Sequence, residues 1–370
     1  MRFVKSDDLK EGMKLAKPIY NRNGVMLYER GSRLTYQGIT SVRNFGLIGI
    51  YILDNAEPVP PMTEFDIEYE RFQTMSIFSL QEDLKAVLEE NNSRGLYQLA
   101  NLILQGYGSL DHKVQFVQNL RSRQDYVYKH TLNVGVLSAL ICGALRLSQK
   151  EKLDTIAAAL LHDIGKLLLP QELKTKVEEF TEEEKQILIK CKKKAYEGLL
   201  LDYDLSPNAR IILAQYNRVE EGESYTDGTM IGTKILCVAE VFDCMTAMKV
   251  DGEPASMLNA VQYLISYKDA YGAEVVDALL RALQILTPAV CVELTNGEKG
   301  LVLEENTDDI MRPVVLSFDN NIVYDMRDDA VYEEVQVKDV MRTMDNRFVM
   351  DPSYLEEYKG KLSYKRREEK

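Results

Sequence analysis

The sequence lacks two features that would tie it to a membrane or to duplex nucleic acid. No apolar run approaches the ~20 residues that a transmembrane helix needs. Lys and Arg number 45 against 58 Asp and Glu, a formal net charge of -13, so a broad basic surface for duplex phosphates is excluded. A small phosphate ligand in a local basic pocket stays allowed. The first residues, MRFVKSDDLKEG, lack the apolar core of a secretory signal, so we expect none.

Cysteine and histidine are both scarce. The five cysteines include no CxxC pair, and this odd, scattered set predicts reduced thiols and a cytoplasmic protein. The three histidines are His112, His130 and His162. Internal repeats and extended low-complexity segments are also lacking. Hydrophobic residues at 45% and charged residues at 28% are typical of a globular protein and exclude collagen-like or wholly disordered chains.

The first third of the chain predicts a small domain and a connector. Residues 1–56 form the small mixed α/β domain: an Asn21–Gly24 turn between apolar stretches indicates a hairpin, and a short helix at 36–43 and a strand at 47–53 follow. Residues 57–120 predict a linker, rich in proline at 58–61, and then a helical connector.

The remainder predicts a helical core followed by strands. Residues 121–286 are almost continuously helical in pattern. Residues 287–345 predict a β-rich extension, in which an Asn296-Gly297 turn indicates a hairpin, and residues 346–370 are a charged tail. The sequence therefore predicts a mostly α fold, a helical core with small N-terminal and C-terminal β-containing segments.

Four side chains of the helical core point to a metal site. His130 opens an apolar helix, His162 and Asp163 close a second one, and Asp243 lies on the apolar stripe of a third. A buried carboxylate without a partner is costly, and a divalent cation would offset that cost. Mixed nitrogen and oxygen ligands suit iron, manganese or zinc better than calcium. The alternative is a buried hydrogen-bonded network without metal. His112, beside Asp111, has no predicted role.

These residues resemble a known signature. His130, His162-Asp163 and Asp243 are similar to the H…HD…D pattern of the HD superfamily of metal-dependent phosphohydrolases, and HDIGK at 162–166 resembles its HD-GYP branch. That branch consists of bacterial cyclic di-GMP phosphodiesterases with a helical catalytic core. FTEEEKQIL and GTKILCVAEVFDCMTA resemble further family segments, so the likeness covers roughly residues 121–286.

The resemblance implies roles for individual residues. The four signature residues would be the metal ligands, with Asp163 catalytic. Lys166 would be catalytic too, as a cation that contacts a phosphate oxygen; the alternative is a surface lysine at a helix end. Arg218 and Lys234 would contact phosphate by family position, or else be ordinary surface charges.

The sequence also departs from the family pattern. Lys194 replaces the histidine of the HPxxG string, Gln215 and Tyr216 replace a histidine pair, and Asn217 replaces the acid after it. ESYT at 223–226 replaces the GYP string. The lost histidines would hold the second of two metals, so the chain is predicted to be a degenerate member with one metal. Lys194 is hypothesised to place its ammonium where the second metal would lie. The charge run KCKKK at 190–194 is otherwise typical of a solvated helix face.

Three functions remain open on this reasoning. The first is a degenerate HD-GYP-type protein of cyclic di-GMP signalling that binds one divalent transition metal (Fe, Mn or Zn) and a nucleotide, with weak or no hydrolysis. The second is an active one-metal phosphodiesterase. The third is a structural interaction module without a nucleotide. The expected partners are a cyclic dinucleotide or another small phosphodiester and a signalling protein, with no membrane and no duplex nucleic acid.

Overall fold

The computed structural model describes residues 2–20, 25–53, 64–116, 118–174, 176, 180–202, 205–248, 253–288, 290–340 and 363–364. Helices dominate it, which confirms the predicted mostly α fold with small β-containing segments at both ends. No helix among these residues is long and apolar enough to cross a bilayer.

The N-terminal module combines a small sheet, a hairpin and a helix. Its elements are β1 (Arg2–Lys5), β2 (Lys14–Leu15), β3 (Ile19–Tyr20), β4 (Met26–Tyr28), α1 (Tyr36–Asn44) and β5 (Gly49–Leu53). The sheet has the order β1-β5-β2, and β3 pairs with β4 as the predicted hairpin, whose Asn21–Gly24 turn lies outside the described residues. A side chain at Gly49 would meet the Val4 carbonyl oxygen at 2.4 Å, so this strand pairing needs glycine.

Two long helices connect this module to the core. They are α2 (Glu64–Glu90) and α3 (Arg94–Tyr107), and the prolines at 58–61 lie outside the described residues. The predicted helical pattern up to residue 120 is wrong beyond Gly108. There the chain becomes extended: Val114 bridges to Leu283, and the backbone N–H of Ile48 donates to the Arg121 carbonyl oxygen at 2.9 Å. Pairing with distant backbone replaces the local helical bonds in this segment.

The core surrounds one central helix. Its elements are α4 (Tyr126–Ala144), α5 (Gln149–Leu161), a 3₁₀ turn (Ile164–Leu168), α6 (Gln171–Lys174), α7 (Glu182–Asp202), α8 (Pro207–Glu220), α9 (Ile231–Thr246), α10 (Met257–Ser266), α11 (Lys268–Tyr271) and α12 (Ala273–Ala282). Every residue of α4 from His130 to Cys142 is buried, because α2, α3, α5, α9 and α12 all pack against it. Polar side chains on α4 therefore face the protein interior.

The C-terminal region is an antiparallel sheet with one added parallel strand. Its elements are β6 (Cys291–Leu294), β7 (Lys299–Glu304), β8 (Val314–Ser317), β9 (Ile322–Asp325), α13 (Asp329–Glu334), β10 (Val337–Val340) and β11 (Ser363–Tyr364), in the sheet order β10-β6-β7-β8-β9-β11. The predicted β6-β7 hairpin is present, with Gly297 at φ +86° in its turn. Helix α13 and strand β10 were not predicted. Most of the predicted charged tail lies outside the described residues.

Candidate metal centre

The structure brings His130, His162 and Asp163 together. His130 lies in the first turns of α4, while His162 and Asp163 end α5 where the chain enters the 3₁₀ turn. The two Nε2 atoms are 3.2 Å apart. Asp163 Oδ2 lies 3.5 Å from His130 Nε2 and 3.8 Å from His162 Nε2. The exposed fraction of each side chain is 3% or less, so the cluster is almost sealed from solvent.

The second ring nitrogen of each histidine is already bonded. His162 Nδ1 lies 2.7 Å from the Ala159 carbonyl oxygen, and His130 Nδ1 lies 2.6 Å from Asp243 Oδ2. A carbonyl oxygen and a carboxylate oxygen both accept, so each Nδ1 carries the proton and donates. Burial lowers the pKa of His162 to about 4, so its ring is neutral near pH 7. With each Nδ1 donating its hydrogen, the Nε2 atoms of the two rings face each other and are the nitrogens left to bind a ligand.

Two converging nitrogen lone pairs are suited to a shared cation. Tetrahedral Zn–N bonds of ~2.0–2.1 Å place two nitrogens about 3.4 Å apart, close to the separation of the two Nε2 atoms. A Glu240 carboxylate oxygen and both histidine nitrogens lie within 4.8 Å of one another. Asp163 Oδ1 is buried and accepts no hydrogen bond from a described residue, although the Lys192 ammonium lies 3.4 Å from it. The donor set thus fits one divalent transition metal ion held by His130, His162 and Glu240, with Asp163 beside them.

Asp243 occupies a different place from the one predicted. It bonds Nδ1 of His130, on the opposite edge of the ring from the facing Nε2 atoms, so it lies behind the cluster. Arg121 Nη2 reaches both of its oxygens at 2.7 Å, and Gln118 and Asn133 donate to Oδ1 at 2.9 and 2.8 Å. In this arrangement Asp243 orients the ring that presents Nε2, and its ligand role stays a prediction.

The charge of Asp243 is balanced by protein groups alone. Burial by itself would raise its pKa, but the Arg121 guanidinium and the His130 hydrogen bond hold the pKa below its usual range. Arg121 is itself fully buried and also lies over the Tyr126 ring at 4.9 Å. The pair therefore stays ionised in the interior.

Two ammonium groups face Asp163. Lys166 Nζ lies 2.5 Å from Oδ2, and Lys192 Nζ lies 3.4 Å from Oδ1. Lys192 also donates to both oxygens of Glu220 at 2.7 and 2.8 Å. Burial would raise the pKa of Asp163, but the two lysines hold it well below the usual value. Lys166, which was predicted to be catalytic, is therefore in contact with the cluster.

Lys194 is exposed, and the structure places Lys192 at the cluster instead. Residues two apart on a helix point about 200° apart, so only one of the two can face inward. Helix α7 approaches the 3₁₀ turn so closely that a Cβ at Gly165 would lie 2.5 Å from the Lys192 Cα. Tyr196, one turn further on, donates to the His162 carbonyl oxygen at 2.8 Å. The exposed Lys194 therefore does not place its ammonium at the cluster, where the ammonium of Lys192 lies.

The two residues that replace the family's histidine pair point in different directions. Tyr216 is buried, stands edge-on to the His162 ring at 5.6 Å between centroids, and donates its hydroxyl to Glu240. Gln215 turns away to bond the Gly228 carbonyl oxygen at 2.9 Å. Asn217 bonds Glu221, the residue that follows its helix. Of the replaced positions, Tyr216 alone contacts a residue of the cluster.

The structure does not bring Arg218 and Lys234 to the cluster. Arg218 is exposed and its Nε bonds the Ala214 carbonyl oxygen on its own helix at 3.4 Å. Lys234 Nζ lies 3.7 Å from a Glu274 oxygen. Arg218 and Lys234, for which the family resemblance implied phosphate contacts, thus bond to other protein groups. His112 is also outside the cluster, bonded to Asp111 at 3.0 Å.

Sequence reasoning missed most of the supporting side chains. Glu240 precedes Asp243 by three residues on α9, a spacing that places both on one helix face and could have identified it. The others, Gln118, Arg121, Asn133 and Lys192, gave no such signal. Gln118 and Arg121 come from an extended segment, whose approach to Asp243 depends on tertiary structure.

Comparisons with known proteins identify relatives of this chain. A model of the HD domain matches residues 112–275. The chain is 23% identical over 215 residues to the cyclic di-GMP phosphodiesterase PA4108 of Pseudomonas aeruginosa, covering 54% of this chain and 49% of that protein. It is 29% identical over 153 residues to the cyclic di-GMP phosphodiesterase response regulator RpfG of Xanthomonas campestris pv. campestris, covering 39% of this chain and 40% of that protein.

Among solved structures, the chain is similar to Bd1817, an HD-GYP-type protein from Bdellovibrio bacteriovorus. The TM-score is 0.41 with 13% identity, over 75% of this chain and 97% of that one. The chain spans about half the length of one curated relative and less of the other.

Proposed function

We propose, on the premise that this chain belongs to the HD-GYP family of HD-domain proteins, that it binds one divalent transition metal ion and a cyclic dinucleotide and hydrolyses the dinucleotide slowly or not at all. One arrangement carries the proposal. The Nε2 atoms of two histidines face each other, and the ammonium of Lys192 lies beside the adjacent Asp163. The names of both curated relatives supply the class of ligand.

The first part of the proposal is a single metal ion. His130, His162 and Glu240 would hold it, with Asp163 as a further oxygen donor. A bound divalent ion supplies a positive charge that polarises a phosphoryl oxygen. The protein contributes the orientation: Asp243 and the Ala159 carbonyl each fix one imidazole through Nδ1.

The second part is the loss of a second metal ion. Two-metal phosphodiester chemistry needs ions ~3.5–4 Å apart with ligands for both. Lys192 Nζ stands against Asp163, and a protonated ammonium neutralises the carboxylate without offering a lone pair. The Tyr216 ring packs against His162, and its hydroxyl engages Glu240. Lys192 and Tyr216 therefore occupy positions near the cluster where a second ion would need ligands, and neither supports one.

The third part is limited access to the cluster. His162 and Asp163 are fully buried, whereas the Lys166 side chain is 26% exposed. A phosphate arriving from solvent would therefore meet the Lys166 ammonium first. A cation there would bind a phosphate oxygen electrostatically, whereas the buried groups behind it are reached less easily, which supports binding with little turnover.

Two other functions stay in competition. The facing Nε2 atoms favour an active one-metal phosphodiesterase, because one ion can activate water. The neutralisation of Asp163 by two lysines favours a structural module, because the buried charge is balanced without metal. The cytoplasmic location and the signalling protein partner remain predictions.

Calorimetry with cyclic di-GMP, followed by product analysis, separates these functions. We expect heat of binding in the wild type, loss of that heat in Lys166→Gln, and retention in Lys150→Gln, which removes an exposed lysine from α5. Turnover should lie far below the ~10 s⁻¹ of a typical enzyme. Turnover at that rate would establish the active phosphodiesterase, and no heat at high protein concentration would establish the structural module; either result contradicts the proposal.

A further inference from the structure

A second cavity lies between the N-terminal module and the helical core. Its volume is about 360 Å³, within the range of small-molecule sites. The N-terminal module contributes Lys17, Tyr20 and Phe45, and helix α2 contributes Phe78 and Gln81. The cavity is separate from the metal centre, because neither histidine of that centre lines it.

The inner wall of this cavity is bonded to the groups behind the metal centre. Gln118 lines the cavity, and its amide donates to Asp243 Oδ1 at 2.9 Å. Asn119 and Gln73 also line it, and both donate to Asn133 Oδ1, at 3.2 and 3.0 Å. Asp243 in turn fixes the His130 ring. A single side chain, that of Asp243, therefore stands between the cavity wall and a metal-binding histidine.

The segment 118–122 is held from both sides. On one side the N-terminal module holds it: Lys17 Nζ donates to the Gln118 carbonyl oxygen at 2.8 Å, and Leu47 pairs with Ser122. On the other side the Arg121 guanidinium donates to both carboxylate oxygens of Asp243. A shift of the N-terminal module would displace the segment that positions Asp243. The structure thus contains a short physical connection between the two sites.

The chemistry of the wall favours a flat, uncharged ligand with hydrogen-bonding edges. Phe45 and Phe78 line the cavity, and aromatic side chains are groups on which flat ligands can stack. The amides of Asn44, Gln81 and Gln124 make no side-chain hydrogen bond to a described residue, and each offers a donor beside an acceptor.

The charged groups of the wall are balanced. Lys129 pairs with Asp125 at 2.7 Å, and the charge of Glu70 acts on Lys17. A net anionic ligand therefore gains little from this wall. Amide side chains and aromatic rings are the groups that proteins use to bind nucleobases.

From this arrangement we infer that the cavity is a regulatory site for a nucleobase or nucleoside, and that its occupancy changes the affinity of the protein for its metal ion. The second half of this inference rests on the proposed metal-binding function. The first half does not, because the cavity and its lining are independent of the ion. Coupling between sites is reciprocal, so the metal must change nucleoside affinity by the same factor.

Titration of the metal-free full chain with guanosine and with adenosine tests the first half. We expect at least one of them to bind saturably, and Gln81→Trp, which fills the cavity, to weaken that binding at least about tenfold. Glu82→Trp is the matched control, since Glu82 is exposed on the same helix and outside the cavity, and it should bind as the wild type does. No binding of either nucleoside, or equal binding by Gln81→Trp, would overturn the inference.

The same titration with saturating Mn²⁺ tests the coupling. We expect nucleoside affinity to change by at least about fivefold between the metal-free and Mn²⁺-loaded protein. Equal affinities would refute the coupling. Failure to bind Mn²⁺ would instead contradict the proposed function, and with it the coupling, while the metal-free titration still decides whether the cavity is a nucleoside site.

Discussion

Replacing Arg121 by methionine removes the main counter-charge of a buried carboxylate. Arg121 and Asp243 both have side chains that are fully buried, and Nη2 lies 2.7 Å from both carboxylate oxygens. Methionine fills similar space but carries no charge and donates no hydrogen bond. Asp243 would keep its bonds from His130, Gln118 and Asn133, yet its negative charge would lie in the interior without a guanidinium.

The size of the effect follows from the burial of the pair. Breaking a buried ion pair by removing one partner costs about 3–5 kcal/mol, mostly because the other charge is left uncompensated. Arg121→Met should therefore lower the free energy of unfolding by about that amount. The double variant Arg121→Met/Asp243→Asn removes the stranded charge as well, so it should be more stable than Arg121→Met alone.

Urea denaturation of the purified variants measures these differences. Arg281→Met is the control, because Arg281 is exposed on α12, and it should change the free energy of unfolding by less than about 0.5 kcal/mol. If Arg121→Met unfolds at the wild-type urea concentration, the buried pair does not stabilise the core. If the double variant is less stable than Arg121→Met, the stranded charge is not the cause of the loss. Either result would refute this reasoning.

Three further predictions concern the metal centre. Lys192→Met removes a cation from beside Asp163 and should tighten Mn²⁺ binding about tenfold. The reason is that repulsion between a unit charge and a nearby dication costs at least ~1.4 kcal/mol. Equal or weaker affinity in a Mn²⁺ titration would contradict this prediction. Tyr216→Phe keeps the ring but removes the hydrogen bond to Glu240, so Mn²⁺ affinity should fall about 10–100-fold, and an unchanged affinity would mean that Glu240 is not a ligand. Gly165→Ala should destabilise the fold by about 1–3 kcal/mol in urea, because the new Cβ meets the α7 backbone, and a neutral effect would show that α7 can move away.

The fold could be predicted largely from local pattern. The apolar faces of α4, α5 and α9 and the Gly297 turn follow from helical periodicity and glycine conformation, and the structure has them. The extended segment after Gly108 could not be predicted, because its backbone bonds go to residues far along the chain such as Leu283. Tertiary pairing there overrides a sequence that is locally compatible with helix.

The sequence predicted which residues of the candidate site lie together better than it predicted how they are arranged. His130, His162 and Asp163 are placed together because each sits at a helix end or on an apolar face. The role of Asp243 depends on which ring nitrogen it meets, and the choice of Lys192 over Lys194 depends on the rotation of α7. Neither can be derived from spacing alone, since both are set by how helices pack.

Elemental analysis of the purified, dialysed chain is the most direct measurement. The account predicts one divalent transition ion per chain in the wild type and none in His162→Ala, whose circular dichroism should stay helical. Two ions per wild-type chain would show that Lys192 does not replace the second metal. No ion, even after incubation with Mn²⁺, Fe²⁺ or Zn²⁺, would show that the facing histidines serve a purely structural network.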